Sequence, residues 1–149
     1  MERYITIRQP QHVKIGSGSA AQIGLWAADA QKVLVLTSKS TALLVEHLQL
    51  KQSAEIYSYV PAEPDDYALQ AALEHAALHR PDVIIGLGGG SVMDIAKLVS
   101  VMWGGSQRLE EIIGADKVLK RFSKLALIPT TAGTGSEAGI RALVTNSKT

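Results

Sequence analysis

The stretch Asp82-Val83-Ile84-Ile85-Gly86-Leu87-Gly88-Gly89-Gly90-Ser91-Val92-Met93-Asp94-Ile95-Ala96-Lys97 carries the reading of the whole chain. Its apolar run, bounded by Pro81 and a glycine cluster, reads as a short buried strand, and the residues after the glycines are apolar enough for a core helix. A strand that runs into a helix through glycine leaves free backbone N–H groups at the helix start. Nothing larger than hydrogen blocks a ligand there, so amides and the positive end of the helix dipole can hold an anionic phosphate.

Glycine at a strand-to-helix corner also has a purely steric use, in a tight turn or close packing. Three consecutive glycines exceed what a turn ordinarily requires, and Ser91 adds a hydroxyl at the first helical turn that can cap the helix or bind phosphate. Gly88, Gly89, Gly90 and Ser91 are therefore candidate binding residues. The pattern is not the dinucleotide fingerprint G-x-G-x-x-G, because Ser91 stands in place of the third glycine.

A length of 149 residues fits one domain with a real core, and this domain is expected to span residues 1–149. Fifteen Lys+Arg against fourteen Asp+Glu give a net charge of +1 with no basic block, so no nucleic-acid partner is expected. No apolar run approaches the roughly 20 residues needed to cross a bilayer. Met1-Glu2-Arg3-Tyr4 has no long apolar core behind its charges, so neither membrane insertion nor a secretory signal is expected. The lack of cysteine rules out disulfides and thiolate metal sites but leaves the compartment open, with the cytoplasm as the default expectation.

Residues 4–16 alternate loosely and end in Val13-Lys14-Ile15-Gly16, an extended strand before a serine-glycine turn. Ser19 can cap a short helix over Ala20 to Ala30, with Ile23, Trp26 and Ala27 as its buried stripe. Lys32 to Thr37 is a strand covered on both faces, Thr41 to Leu50 is helical in pattern, and Ala54 to Val60 returns as a strand closed by Pro61 and Pro64. Asp65 can cap a helix from about Asp66 to His79 that buries Leu69, Leu73 and Ala76. The central strand and a helix over Val92 to Trp103 follow. A short amphipathic segment at Leu109 to Ile113 then leads to a strand at Lys124 to Ile128, stopped by Pro129. This alternation predicts an α/β fold, a mostly parallel sheet with helices on both faces and ligands at the carboxyl ends of its strands.

At that same edge comes Pro129-Thr130-Thr131-Ala132-Gly133-Thr134-Gly135-Ser136-Glu137, a second set of small hydroxyl donors. Alone it reads as a surface turn in which Thr and Ser satisfy backbone groups. Paired with Gly88 to Ser91, it can clamp one extended ligand. Together the two segments resemble those of the iron-containing alcohol dehydrogenases, the metal-dependent group III family. The resemblance extends through Val13-Lys14-Ile15-Gly16-Ser17-Gly18, Lys32 to Thr37, and Arg141 to Asn146, which resembles the strand after the second loop. Ala138-Gly139-Ile140 departs from the β-branched pair more common in the family.

The resemblance implies a Rossmann-like domain binding a nicotinamide cofactor, NADP or NAD, and a helical C-terminal domain that holds Fe2+ or another divalent metal through one aspartate and three histidines. The second domain lies outside these 149 residues, so the chain alone is expected to be inactive, with no catalytic or metal-ligating residue assigned in it. By resemblance Gly89, Gly90 and Ser91 bind the pyrophosphate and Thr130, Thr131 and Thr134 line the cofactor groove. Asp94 sits on the first turn of the helix, where a carboxylate also suits the dipole, and Lys97 follows it at i,i+3. The implied reaction is hydride transfer with a small alcohol or aldehyde. A maleylacetate reductase, a polyol dehydrogenase and a non-catalytic nucleotide or sugar-phosphate binding module are the alternatives, and a homo-oligomer stays open.

Dinucleotide folds usually hold the ribose 2′-hydroxyl with a carboxylate at the end of the second strand. In the resembled family that acid commonly follows the terminal threonine, here Thr37, but this chain has Ser38, which does not repel a 2′-phosphate, and Lys39 with Ser40 can supply a cation and a hydroxyl to it. The expectation is NADP slightly over NAD, set against a purely helix-capping use of Ser38-Lys39-Ser40. His75 and His79, spaced i,i+4, lack a third ligand for a metal.

Overall fold

The computed structural model describes residues 10–148. Four strands, β1 (Val33–Thr37), β2 (Ala54–Tyr57), β3 (Val83–Gly88) and β4 (Lys124–Pro129), form one sheet in the order β2-β1-β3-β4, with every pair parallel. β1 and β3 are buried throughout. Their alternating side chains feed two cores. Leu34, Leu36 and Ile84 face one side, where the helices α2 (Asp66–His79) and α3 (Gly90–Met102) bring Leu69, Ala76, Ile95 and Val99. Val33, Val35, Val83, Ile85 and Leu87 face the other, against Ala27 and Leu48. Both faces of the central pair are therefore dry, which is why these strands read as unbroken apolar runs.

α2 begins where its cap predicts: Asp65 accepts a 2.8 Å hydrogen bond from the Ala68 amide. Its buried residues are Leu69, Ala72 and Ala76, while Leu73 packs at the margin. Asp82 fastens the base of β3 by accepting from the Gln31 and Lys32 amides at 2.8 Å each. Burial pushes its carboxyl up, but these amides outweigh burial and hold it below the ordinary value.

Several sequence expectations are corrected. Residues 4–9 of the expected first strand lie outside the described residues, and 10–16 have no regular structure, with Ile15 and Val13 exposed. The helix over Ala20 to Ala30 shrinks to a 3-10 turn (Ser19–Ala21) and α1 (Gln22–Trp26), entered at Gly18 with no side-chain cap from Ser19. Trp26 is exposed, and Gly24 and Ala27 take the buried line. The reason is contact: a Cβ on Gly24 would sit 2.1 Å from the Gln49 carbonyl oxygen, so the backbone itself packs here. Thr41 to Leu50 holds a 3-10 helix (Ala42–Leu48) that ends at Gln49 in the left-handed region, φ 50°. β2 stops at Tyr57, and Val60 returns only through its amide to the Thr37 carbonyl. Arg141 to Asn146 forms no strand beyond a single parallel bridge between Thr145 and Asp65.

α3 lies so close to β3 that a Cβ on Gly86 would come 2.8 Å from Ala96 Cβ and 3.0 Å from Leu127 Cδ2. Gly86→Ala is therefore expected to destabilise by about 1–3 kcal/mol through overpacking. Gly133→Ala, with nothing within 4 Å, is expected to stay within about 0.5 kcal/mol. Urea denaturation of both variants checks the contrast.

Candidate functional site

From β1 the chain moves outward to β2, then returns past β1 to β3 and continues to β4. The sheet order thus reverses between β1 and β3, and a crevice opens beyond their carboxyl ends. Gly89 is the N-cap of α3, with Gly90 and Ser91 in its first turn, so the unpaired amides of that turn face this crevice.

The three glycines do different work. A Cβ on Gly88 would lie 2.7 Å from Val92 Cγ2, and one on Gly90 would lie 2.8 Å from Thr134 Oγ1. Both positions are dictated by the protein's own packing. At Gly89 a Cβ meets only Thr131, at 3.5 Å and 3.9 Å, which are ordinary contacts. Its φ of −80° suits any residue. Internal packing thus does not require glycine at 89, and the cradle that a side chain would fill lies at the helix N-terminus. The site accordingly fits an anionic group set against the α3 amides.

Two depressions meet over that helix start. One, of 660 Å³, includes Ser38, Lys39, Tyr59 and Gly89 in its lining. The other, of 1210 Å³, includes Glu63, Asp94, Thr134 and Arg141. They share Ala62, Gly90 and Ser91, so the two make one trough passing across the first turn of α3. The Ser91 hydroxyl donates to the Ala62 carbonyl, so it ties down the β2–α2 connection instead of capping the helix.

The second loop is brought to the first, as the paired motifs lead one to expect. Thr130 donates its amide to the Gly88 carbonyl at 3.0 Å, Thr131 stands beside Gly89, and Thr134 packs on Gly90. Asp94 is turned toward this loop: it accepts from Ser136 Oγ at 2.5 Å and from the Leu143 amide at 3.1 Å. Lys97, to which the sequence assigns no role, completes the knot. It donates to Ser136 Oγ at 2.9 Å and to the Arg141 carbonyl at 2.8 Å, and its Nζ is 3.7 Å from Asp94. The Lys97 and Asp94 side chains are only 12% and 13% exposed. Burial lowers the Lys97 ammonium below its ordinary value, against the opposing pull of Asp94.

Ser38 lies at the end of β1 in a line of hydroxyls: Ser40 at 3.0 Å, then Thr41 at 2.8 Å, with Thr41 2.7 Å from Thr37. Lys39, which the sequence offers as a cation for a 2′-phosphate, faces the trough, and so does Tyr59, absent from the sequence-derived binding set; the Lys39 ammonium is 5.7 Å from the Tyr59 ring centroid. The rule that ligands gather at strand ends reaches Tyr59, two residues past β2, only once β2 is known to stop at Tyr57. His75 and His79 diverge. His75 Nε2 is 2.9 Å from Glu55 Oε1, off the line of a hydrogen bond, and His79 Nε2 is 3.3 Å from the Val33 carbonyl. Among the described residues no three His, Cys, Asp or Glu side chains gather as a metal site, and no helix is long and apolar enough to cross a membrane.

A doubly wound parallel sheet with a glycine-led helix start at its point of reversal defines a Rossmann-like domain. The chain belongs to the iron-containing alcohol dehydrogenase family, whose description matches residues 10–149. It is 32% identical over 143 residues to an alcohol dehydrogenase of Thermococcus barophilus, covering 84% of this chain and 37% of that protein. It is 30% identical over 142 residues to the NAD-dependent methanol dehydrogenase of Bacillus methanolicus, covering 89% and 37%. The sulfoacetaldehyde reductase of Bifidobacterium kashiwanohense, solved in complex with NAD+, shares the fold at a TM-score of 0.84 and 22% identity, over 99% of this chain and 41% of that one. The chain thus spans about two fifths of the length of these relatives.

Asp94→Ala removes the acceptor for Ser136 and Leu143 and takes from a covered ammonium the nearer of its two counter-charges, Glu137 being the other. A loss of roughly 1–3 kcal/mol is expected, with faster hydrogen exchange at the Leu143 amide than the global loss alone explains. An unchanged Leu143 exchange rate would show that the carboxylate does not hold this segment.

Proposed function

We propose that residues 1–149 form the nicotinamide-dinucleotide-binding domain of an iron-containing alcohol dehydrogenase that interconverts a small alcohol and its aldehyde. The observation that carries this is the trough over the α3 N-terminus, left open at Gly89 where the protein's own packing does not require glycine. The cofactor, when bound, supplies the hydride acceptor or donor. The chain's own residues bind and orient it: the first-turn amides of α3 take the pyrophosphate, and Thr131 and Thr134 wall the groove beside Gly89 and Gly90. Asp94 acts at one remove, holding the second loop in place through Ser136 and Leu143. On this proposal the family's metal ligands belong to the helical domain that the resemblance implies, and the described residues contribute the cofactor site. A binding module without chemistry would share this trough; membership of an oxidoreductase family favours the enzyme.

On this proposal NADP binds more tightly than NAD, because the end of β1 presents Ser38 in place of a carboxylate. A soluble, cytoplasmic enzyme without nucleic-acid or membrane partners completes the picture.

Calorimetric titration of the 149-residue chain tests the site. Gly89→Val keeps an allowed backbone, and the Cβ it adds makes only ordinary contacts, so folding stability is expected to hold while affinity for both cofactors falls at least about tenfold, or about 1.4 kcal/mol. Unchanged affinity would put the site elsewhere. Ser38→Asp is expected to move the preference toward NAD, and a preference that does not move would show that this strand end does not read the ribose.

A further inference from the structure

We propose that Arg141 selects the substrate of this site by holding the carboxylate of a small hydroxy acid, or of the aldehyde acid it yields. The inference rests on the nucleotide-binding proposal above and narrows its substrate, from a small alcohol in general to one that carries a carboxylate.

The segment from Arg141 to Thr145 is bolted to the rest of the fold at every second residue. The Arg141 carbonyl accepts from Lys97 Nζ at 2.8 Å, and the Leu143 amide donates to Asp94 Oδ2 at 3.1 Å. Thr145 donates its amide to the Pro64 carbonyl at 3.0 Å and accepts from the Asp66 amide at 3.1 Å. Side chains alternate along the same segment, as they do in an extended chain. Val144 packs against the core beneath α2 and α3, whereas Arg141, Leu143 and Thr145 line the larger depression. A backbone fixed at three points therefore sets where the Arg141 side chain starts and which way it leaves the chain.

Arg141 is the one cationic side chain in that lining. Among the described residues no carboxylate or carbonyl engages its guanidinium. Asp94 is taken up by Ser136, Leu143 and Lys97, and Glu63, the other acid of the lining, forms no ion pair with it. On the nucleotide-binding proposal the depression beside Ser38 takes the adenosine half of the cofactor and the α3 amides take the pyrophosphate. The larger depression is then left for the nicotinamide half and the molecule it reacts with. Ile140 and Leu143, 69% and 77% exposed, flank Arg141 in the lining and offer apolar surface to a short methylene chain. A carboxylate brought near a bound pyrophosphate needs a counter-charge, and a planar guanidinium meets a carboxylate through two parallel hydrogen bonds. One free cation between apolar side chains thus suits a ligand with an apolar middle and an anionic end. The carboxylate is a handle for binding and takes no part in the chemistry.

The test uses the intact 149-residue chain saturated with NADP+, so that the α3 N-terminus is filled. The Leu143 amide is followed by NMR while 4-hydroxybutanoate or the uncharged 1,4-butanediol is added. The hydroxy acid is expected to bind about tenfold more tightly than the diol, in line with charge-assisted hydrogen bonds. Arg141→Gln is expected to bring the two ligands within about twofold of each other and to leave NADP+ affinity within about twofold of its starting value. Arg141→Lys, which keeps the charge but loses the planar fork, is expected to retain part of the preference. No saturable shift with the hydroxy acid, no preference over the diol, or a preference that survives Arg141→Gln would overturn the inference and leave the nucleotide site standing. A loss of NADP+ affinity in Arg141→Gln as large as the loss for the hydroxy acid would assign the guanidinium to the cofactor and overturn it equally. Failure of the chain to bind either NADP+ or NAD+ would remove the nucleotide site and the inference together.

Discussion

The approach of α3 to β3 is the constraint on which the rest of this structure depends. A helix seated so close that neither Gly86 nor Gly88 has room for a methyl group must start directly over the end of its strand. Its first-turn amides then open into the crevice between β1 and β3. A larger residue at either glycine would lift the helix and tilt those amides away. The site is thus a consequence of packing, with the dry core of β1 and β3 supplying the rigidity that holds it.

Polar side chains around the helix start are spent largely on holding the protein's own loops. Ser91 secures Ala62, Asp94 and Lys97 secure the segment from Ser136 to Leu143, and the hydroxyls from Ser40 to Thr37 satisfy one another down to the Leu87 carbonyl. What is left to face the depression beside Ser38 is largely backbone, the Lys39 cation and the Tyr59 ring. Such a surface recognises phosphate and extended shape, and backbone donors cost no side-chain entropy when a ligand arrives.

Elements whose stability is local are legible in the order of residues alone. Asp65 caps α2 because its carboxylate sits three residues from the amide it accepts, and the runs Val33–Thr37 and Val83–Leu87 are strands because alternate residues enter two different cores. Elements defined by contact are not. Trp26 keeps helical spacing with Ile23, yet the close pass of Gly24 against Gln49 turns it outward. Thr41 to Leu50 shows an apolar periodicity compatible with more than one helix type, and the structure takes the tighter winding. Arg141 to Asn146 has strand-like composition, but hydrogen bonds from Lys97 and to Asp94 hold it as a loop.

The same division runs through the site. The sequence by itself determined that a strand meets a helix through glycine, that a second hydroxyl-rich loop lies at the same sheet edge, and that no acid follows Thr37, since each of these is a property of neighbouring residues. Only the tertiary structure decided which of the glycines is spared for a ligand, that Asp94 and Lys97 serve the second loop, and that Tyr59 reaches Lys39. Those outcomes depend on distances between residues tens of positions apart, and such distances are set by how the helices and the sheet pack.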